Sequence, residues 1–164
     1  MKKLSRLAWA TLFAGALGTQ AVAQEGVTAT EIVIGAHTDL SGPAAIWGVG
    51  ATEGARMRFD EANEKGIHGR KVKLIVEDHG YQVPRSVQAA NKLINNDKIF
   101  LMLGALGTPM NNAVLGEQLQ KGVPNIFPFT AARSMAEPLH PLKFAQYSSY
   151  YDQVRAATKH FVEK

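Results

Sequence analysis

The 164-residue sequence contains no cysteine, so no disulfide can form anywhere in the chain. The absence also removes the thiolate ligands on which many zinc centres depend. The sequence has five histidines, and no two of them stand at a spacing typical of metal ligands. They are His37, His68, His79, His140 and His160. We therefore expect neither a metal nor another cofactor.

Long apolar runs are also missing. Residues 7–18, LAWATLFAGALG, are too few to span a bilayer. This run follows a short basic head and precedes Ala21-Val22-Ala23, and these three parts in this order are typical of a secretory signal peptide. We predict cleavage after Ala23, export to a bacterial periplasm and no membrane insertion of the mature chain. A buried N-terminal helix or an uncleaved anchor is the alternative.

The sequence has little surplus charge of either sign once residues 1–23 are set aside. The whole chain has 18 lysines and arginines against 14 acidic residues. Three of the basic residues lie in the basic head, which leaves 15 against 14. Such a balance predicts neither nucleic-acid binding nor attachment to a membrane surface.

Motifs for nucleotide binding and covalent catalysis are absent as well. No G-x-G-x-x-G follows the first predicted strand, where the sequence reads His37-Thr38-Asp39, and no P-loop occurs. No nucleophile stands in a strand-to-helix elbow. Asp78-His79, or His37 with Asp39, could form an acid–base pair. Polar residues at strand ends more often cap turns and helix starts, which is the role that we predict, and we do not expect an enzyme.

The sequence does contain a regular alternation of strand and helix patterns. Strands are predicted at residues 31–37, 71–78, 99–103 and 125–129, with a weaker one at 143–146. Helices are predicted at residues 47–65, 84–97 and 109–121 and within 149–164. This alternation indicates right-handed βαβ crossovers. We therefore predict an α/β fold with a mainly parallel sheet and helices on both faces.

The segments that follow the predicted strands should meet at one edge of the sheet, where α/β proteins bind ligands. They offer hydroxyl groups at Ser41, Thr108 and Thr130, and aromatic surface at Trp47 and Tyr81. Neutral hydroxyls beside aromatic rings suit the reversible capture of a small polar or zwitterionic solute. Because Pro109 follows Thr108, we also expect Thr108 to be the N-cap of the third helix.

Several blocks of the sequence resemble the periplasmic leucine/isoleucine/valine-binding protein family. They are LSGPAAIWG (40–48), ANEKGIHGRKVKLIVEDHGYQVPRSVQAANKLI (62–94), MLGALGTPMNNAV (102–114) and GVPNIFPFTAA (122–132). Members are the substrate-binding components of ABC importers for branched-chain amino acids. The resemblance implies a type I periplasmic binding fold, in which two α/β lobes clamp a small-molecule ligand, and an inner-membrane ABC permease as partner.

The resemblance also implies which residues bind the ligand. Trp47 would contact the ligand side chain, and Thr108 would bind the ligand carboxylate. The segment after the fourth strand would hold the backbone of an amino acid. The six implied ligand-binding residues are Trp47, Gly107, Thr108, Phe129, Thr130 and Ala131.

Two of these positions depart from the well-known members. Phe129 stands where they have a small residue, and Ala131 stands where they have a threonine hydroxyl. The implied ligand is therefore a branched-chain amino acid or a related small amide or aromatic acid.

The family is much longer than this chain, which implies an incomplete protein. We predict a signal peptide at residues 1–23, a partial N-terminal lobe at 24–146, and a crossover with the first helix of the second lobe at 147–164. The helical pattern of the last segment has no glycine cap at its end, which is consistent with a truncated product or a fragment. A ligand-sensing domain of a receptor or regulator and an exported α/β enzyme are the alternative functions.

Overall fold

The computed structural model describes residues 24–163 as a five-stranded parallel sheet with four α-helices. The predicted signal peptide lies outside the described residues. The strands are β1 (Glu31–Thr38), β2 (Lys71–Asp78), β3 (Leu101–Leu103), β4 (Asn125–Ile126) and β5 (Lys143–Phe144). The helices are α1 (Ala45–Lys65), α2 (Val83–Asn91), α3 (Thr108–Gln120) and α4 (Tyr150–Val162). None of the helices in residues 24–163 combines the length and apolar character needed to cross a membrane.

The strand order is β2-β1-β3-β4-β5, so the chain reverses its direction across the sheet after β2. With right-handed crossovers, this reversal places α1 on one face and both α2 and α3 on the other. Alternate residues of β1 agree with this arrangement. Gly35 lies against Leu93 and Ile99 of the α2 side, whereas Thr38 contacts Gly48 of α1. The predicted α/β class, with helices on both faces of a parallel sheet, is confirmed.

The main hydrophobic core lies between the sheet and the pair α2 and α3, which pack against each other. The apolar spacing within residues 84–97 predicts the contribution of this segment, because residues three and four apart share a face. Its buried members are Ala90, Leu93, Ile94, Ile99, Met102, Ala105, Val114 and Val123. Met102 and Ala105 anchor the carboxyl end of β3 in this core, and the turn that forms part of the site follows directly.

The second predicted helix, residues 84–97, is not one continuous α-helix. α2 ends at Asn91 and a π-helix follows at Lys92–Asn96. The N–H of Asp97 donates to the carbonyl of Lys92 over 2.9 Å. A π turn adds only one residue to each hydrogen-bonded ring, so the spacing of apolar residues does not reveal it.

The fourth and fifth strands are shorter than predicted. β4 ends at Ile126 because Phe127 has a φ of +51° and Pro128 has no N–H to donate. Pairing resumes as a single parallel bridge between Leu106 and Phe129. This irregularity brings the segment after β4 beside the turn after β3. Likewise, the predicted strand 143–146 is reduced to Lys143–Phe144.

Candidate ligand-binding site

An open cavity of ≈ 460 Å³ lies beyond the carboxyl ends of the strands. This volume is typical of small-molecule sites. All six residues implied by the resemblance line it, namely Trp47, Gly107, Thr108, Phe129, Thr130 and Ala131. The other lining residues are Ala44, Tyr81, Leu106, Tyr147, Tyr150 and Gln153. None of the twelve has a charged side chain, so a ligand here would be held by hydrogen bonds and apolar contact.

The loop after β1 is shaped by the buried carboxylate of Asp39. It accepts hydrogen bonds from the N–H groups of Gly42 (2.6 Å), Ala44 (2.7 Å) and Ser41 (3.3 Å). These bonds fix the entry into α1 and carry Trp47 to the mouth of the cavity, where 66% of this residue is exposed. The predicted capping role is confirmed for Asp39.

The carboxylate of Asp78 joins the loop after β2 to the loop after β1. It accepts from the N–H of Leu40 (2.9 Å) and the hydroxyl of Ser41 (2.6 Å). Burial opposes its ionisation, but these bonds, the N–H of Gly80 and the charge of Arg85 outweigh that effect and lower the pKa of Asp78 to about 2. Asp78 is therefore ionised near neutral pH, and its carboxylate holds the loop after β1 against the loop after β2. The Ser41 hydroxyl is bound to it, and Ser41 does not line the cavity.

The turn after β3 depends on Gly107, whose φ is +96°. A Cβ at this position would lie 2.2 Å from Cε of Met110 and 3.2 Å from Cε2 of Tyr81. Glycine is therefore required here for two reasons: it adopts the left-handed backbone without strain, and its lack of a side chain leaves room for the Tyr81 ring.

The predicted N-cap role of Thr108 is wrong. The helix begins one residue earlier than expected, so Gly107 is the N-cap and Thr108 is the first helical residue, with no side-chain cap bond. The side-chain amide of Asn111 donates to the carbonyl of Gly107 over 2.9 Å, which fixes the turn but does not cap the helix. Thr108 is therefore free of a capping role.

The hydroxyl of Thr108 forms a pair with the hydroxyl of Thr130, with 2.5 Å between the two Oγ1 atoms. Thr130 Oγ1 also accepts from the N–H of Ala132 over 3.1 Å. Either oxygen can be the donor in this pair, because Thr130 Oγ1 keeps a second lone pair after it accepts from Ala132. When Thr130 donates, the proton of Thr108 is available to an acceptor in the cavity. The first turn of α3 adds N–H groups that lack intrahelical acceptors and carry partial positive charge.

Aromatic side chains form the remaining wall. Phe129 and Tyr147 meet edge to face with 6.4 Å between ring centroids. Tyr150 joins them, and its N–H donates to the carbonyl of Ala131 over 2.8 Å. Sequence reasoning did not identify Tyr147 or Tyr150, although the run Tyr147-Ser-Ser-Tyr150 after the last strand was an available signal.

Nothing in the described geometry resembles a metal centre. Within residues 24–163, no three side chains among His, Asp and Glu lie close enough together to hold a metal ion. The cavity can bind a neutral or zwitterionic molecule through hydroxyls, helix-end amides and aromatic rings.

The fold and the cavity together define the class of this protein, which is an α/β domain with a parallel sheet and a ligand-sized cavity beyond the carboxyl ends of its strands. The chain belongs to the periplasmic binding protein family, whose model matches residues 31–164. It corresponds to the N-terminal portion of the leucine/isoleucine/valine-binding type, so the family resemblance is confirmed.

The relatives are substrate-binding proteins. A Leu/Ile/Val-binding protein of Rhizobium johnstonii, BraC3, is 32% identical over 108 residues, which are 65% of this chain and 29% of that protein. A possible leucine/isoleucine/valine-binding protein of Rhodopirellula baltica has a TM-score of 0.75 and 26% identity, covering 87% of this chain and 38% of that one. A fatty acid ABC transporter substrate-binding protein of Thermomonospora curvata has a TM-score of 0.69 and 28% identity, covering 82% of this chain and 34% of that one. The chain thus spans about a third of the length of these relatives.

Proposed function

We propose that this chain is the N-terminal part of a periplasmic substrate-binding protein that delivers a small solute to an inner-membrane ABC permease. Residues 1–23 would direct its export, and residues 147–164 would lead into the second lobe. The observation that carries the proposal is the cavity itself. Six residues implied by the family resemblance converge on it, and their chemistry suits a small solute rather than a nucleotide or metal.

The proposed solute is a branched-chain amino acid or a related small amide or aromatic acid. The Rhizobium protein is named for leucine, isoleucine and valine, and the Thermomonospora protein for fatty acids. Both kinds of compound combine a carboxylate with an apolar chain. In the cavity, the carboxylate would accept from the Thr108 hydroxyl at the N-terminal end of α3, where partial positive charge favours anions. The apolar part would lie against Trp47 and Phe129.

Removing the Thr108 hydroxyl is expected to weaken binding and, because the hydroxyl pair with Thr130 is lost, to lower the free energy of unfolding by about 1 kcal/mol. In Thr108→Ala, affinity for a carboxylate solute should fall by about 1.5–3 kcal/mol, the range for a hydrogen bond to a charged group. Isothermal titration calorimetry with L-leucine, L-phenylalanine and 4-hydroxybenzoate, on the protein at its natural length, measures this change.

Two variants serve as controls for Thr108→Ala. Thr108→Ser retains the hydroxyl and should retain most of the affinity, whereas Thr30→Ala changes an exposed threonine just before β1 and should have no effect on binding. Normal affinity in Thr108→Ala would remove Thr108 from the site.

Trp47→Ala is expected to weaken binding in proportion to the size of the ligand side chain. Because Trp47 is 66% exposed at the cavity mouth, the free energy of unfolding should change by less than about 1 kcal/mol. The neighbouring residue provides a matched control, since Ile46 is 82% exposed and does not line the cavity. Equal losses of affinity in Trp47→Ala and Ile46→Ala would contradict the assigned role.

A further inference from the structure

His79 lies behind the cavity and contacts two of its walls. Its ring is fully buried and does not line the cavity. Nδ1 accepts a hydrogen bond from the N–H of Tyr81 over 3.0 Å. Nε2 lies 3.2 Å from the carbonyl oxygen of Leu106. Tyr81 and Leu106 both face the cavity, so one imidazole connects the loop after β2 to the turn after β3.

Both contacts are satisfied by one protonation state, the neutral ring with its proton on Nε2. Burial lowers the pKa of His79, and this effect exceeds the opposing effects of the Leu106 carbonyl and of the carboxylates of Asp39 and Asp78. The charge of Arg85 also lowers the pKa. The ring is therefore neutral near pH 7, as the two hydrogen bonds require.

His79 connects Tyr81 to the turn after β3, and these two segments lie in close contact. Tyr81 has a φ of +58°, a left-handed conformation that is uncommon for a bulky residue, so its backbone depends on an anchor such as the bond to Nδ1. Its ring lies over Gly107, close enough that an added Cβ there would be 3.2 Å from Cε2. The next residue along the turn is Thr108, whose hydroxyl faces the ligand in the proposed function.

We propose that His79 is a positioning residue that holds the Tyr81 wall and the Leu106–Thr108 turn at the separation that a bound solute requires. This inference rests on the proposed function, because it assigns a role in binding to a residue outside the cavity. His79 acts through its two hydrogen bonds and does not touch the solute.

Two conservative substitutions each retain one of the two hydrogen bonds of His79 and remove the other. In His79→Asn, the side-chain oxygen can replace Nδ1 as the acceptor for Tyr81 N–H, but no donor reaches Leu106. In His79→Gln, the side-chain amide can replace Nε2–H as the donor to Leu106, but the acceptor for Tyr81 is lost. We expect each variant to bind about 3- to 10-fold more weakly than the unaltered protein, and His79→Ala to bind more weakly than either. The probes are L-leucine, L-phenylalanine and 4-hydroxybenzoate, titrated by calorimetry.

His140 provides a matched control with the same local geometry. Its Nδ1 accepts from the N–H of Leu142, also two residues on, over 3.1 Å, and it lies away from the cavity. His140→Ala should leave the affinity for all three probes unchanged. A second readout needs no ligand: exchange of the Tyr81 amide proton should accelerate in His79→Gln and remain slow in His79→Asn.

The outcomes distinguish this inference from the proposed function. If the unaltered protein binds a probe and both His79→Asn and His79→Gln bind it equally well, the positioning role is overturned and the proposed function stands. If no probe binds the unaltered protein, the proposed function fails for these solutes, and amide exchange then decides the role of His79. Unchanged Tyr81 exchange in His79→Gln overturns that role as well.

Discussion

Lowering the pH from 6.5 to 4.5 is expected to reduce the free energy of unfolding by about 2 kcal/mol through His37 alone. His37 is 0% exposed, and neither ring nitrogen has a hydrogen-bond partner among residues 24–163. Burial and, to a smaller extent, the neighbouring His79 lower the pKa of His37 from 6.5 to about 3. The ring centroids of the two histidines are 5.5 Å apart.

The sign of this effect follows from proton binding. Between pH 6.5 and about 3 the unfolded chain binds a proton at His37 that the folded chain does not. Stability is therefore fully present above pH 6.5 and falls by about 1.4 kcal/mol for each pH unit below it. Asp78 acts in a different window, because its pKa is lowered from 3.8 to about 2 and its contribution is lost only as the pH falls through that range.

Urea denaturation of the protein at its natural length, at pH 7.5, 6.5, 5.5 and 4.5, measures the slope. His37→Leu removes the titrating ring at similar volume and should reduce the slope, and the part that remains is due to His79, whose pKa burial also lowers. At pH 7.5 it should change stability little or raise it, because the imidazole has no partner to lose within the described residues. An unchanged slope in His37→Leu would assign the acid sensitivity to other groups.

Gly48→Ala is expected to be the most damaging single-methyl substitution in α1, with a loss of about 3 kcal/mol or more. A Cβ at Gly48 would lie 1.9 Å from the carbonyl oxygen of Asp39 and 2.7 Å from Oγ1 of Thr38. The nearest obstacle is backbone and cannot rotate away. Moving Asp39 would also disturb the three N–H groups that its carboxylate binds.

The same substitution elsewhere in α1 should have the opposite sign. A Cβ at Gly54 would meet nothing within 4 Å among the described residues. Gly54→Ala should therefore stabilise the protein by up to about 1 kcal/mol, because alanine has the higher helix propensity. Thermal and urea denaturation of both variants provide the comparison. Similar stabilities for Gly48→Ala and Gly54→Ala would show that α1 does not approach the loop after β1 as closely as described.

Gly48 is also adjacent to Trp47 at the cavity mouth. A shift of α1 away from Asp39 would move Trp47 relative to Thr108, so Gly48→Ala should weaken ligand binding in addition to its effect on folding. Gly54→Ala should leave binding unchanged, because it lies farther along the helix and outside the cavity.

Much of the site could be predicted because it depends on topology. Once strands and helices alternate, the segments after parallel strands must meet at one edge of the sheet, and Trp47, Thr108 and Thr130 lie on such segments. Local detail was less accessible. A shift of one residue in the start of α3 changed Thr108 from the predicted N-cap to the first helical residue, and its hydroxyl pairs with Thr130 instead.

The sequence by itself determined the parallel α/β class, the order of the elements and the edge at which the cavity opens, because these follow from apolar periodicity and from the handedness of crossovers. Only the tertiary structure decided which polar side chains reach the cavity and which are bound elsewhere. Ser41 is bound to Asp78, Thr108 faces the cavity, and His79 connects two walls from behind. The physical reason is that a hydrogen bond depends on distances of a few tenths of an ångström between residues far apart in the chain. Periodicity places residues on a face, but it does not fix such distances.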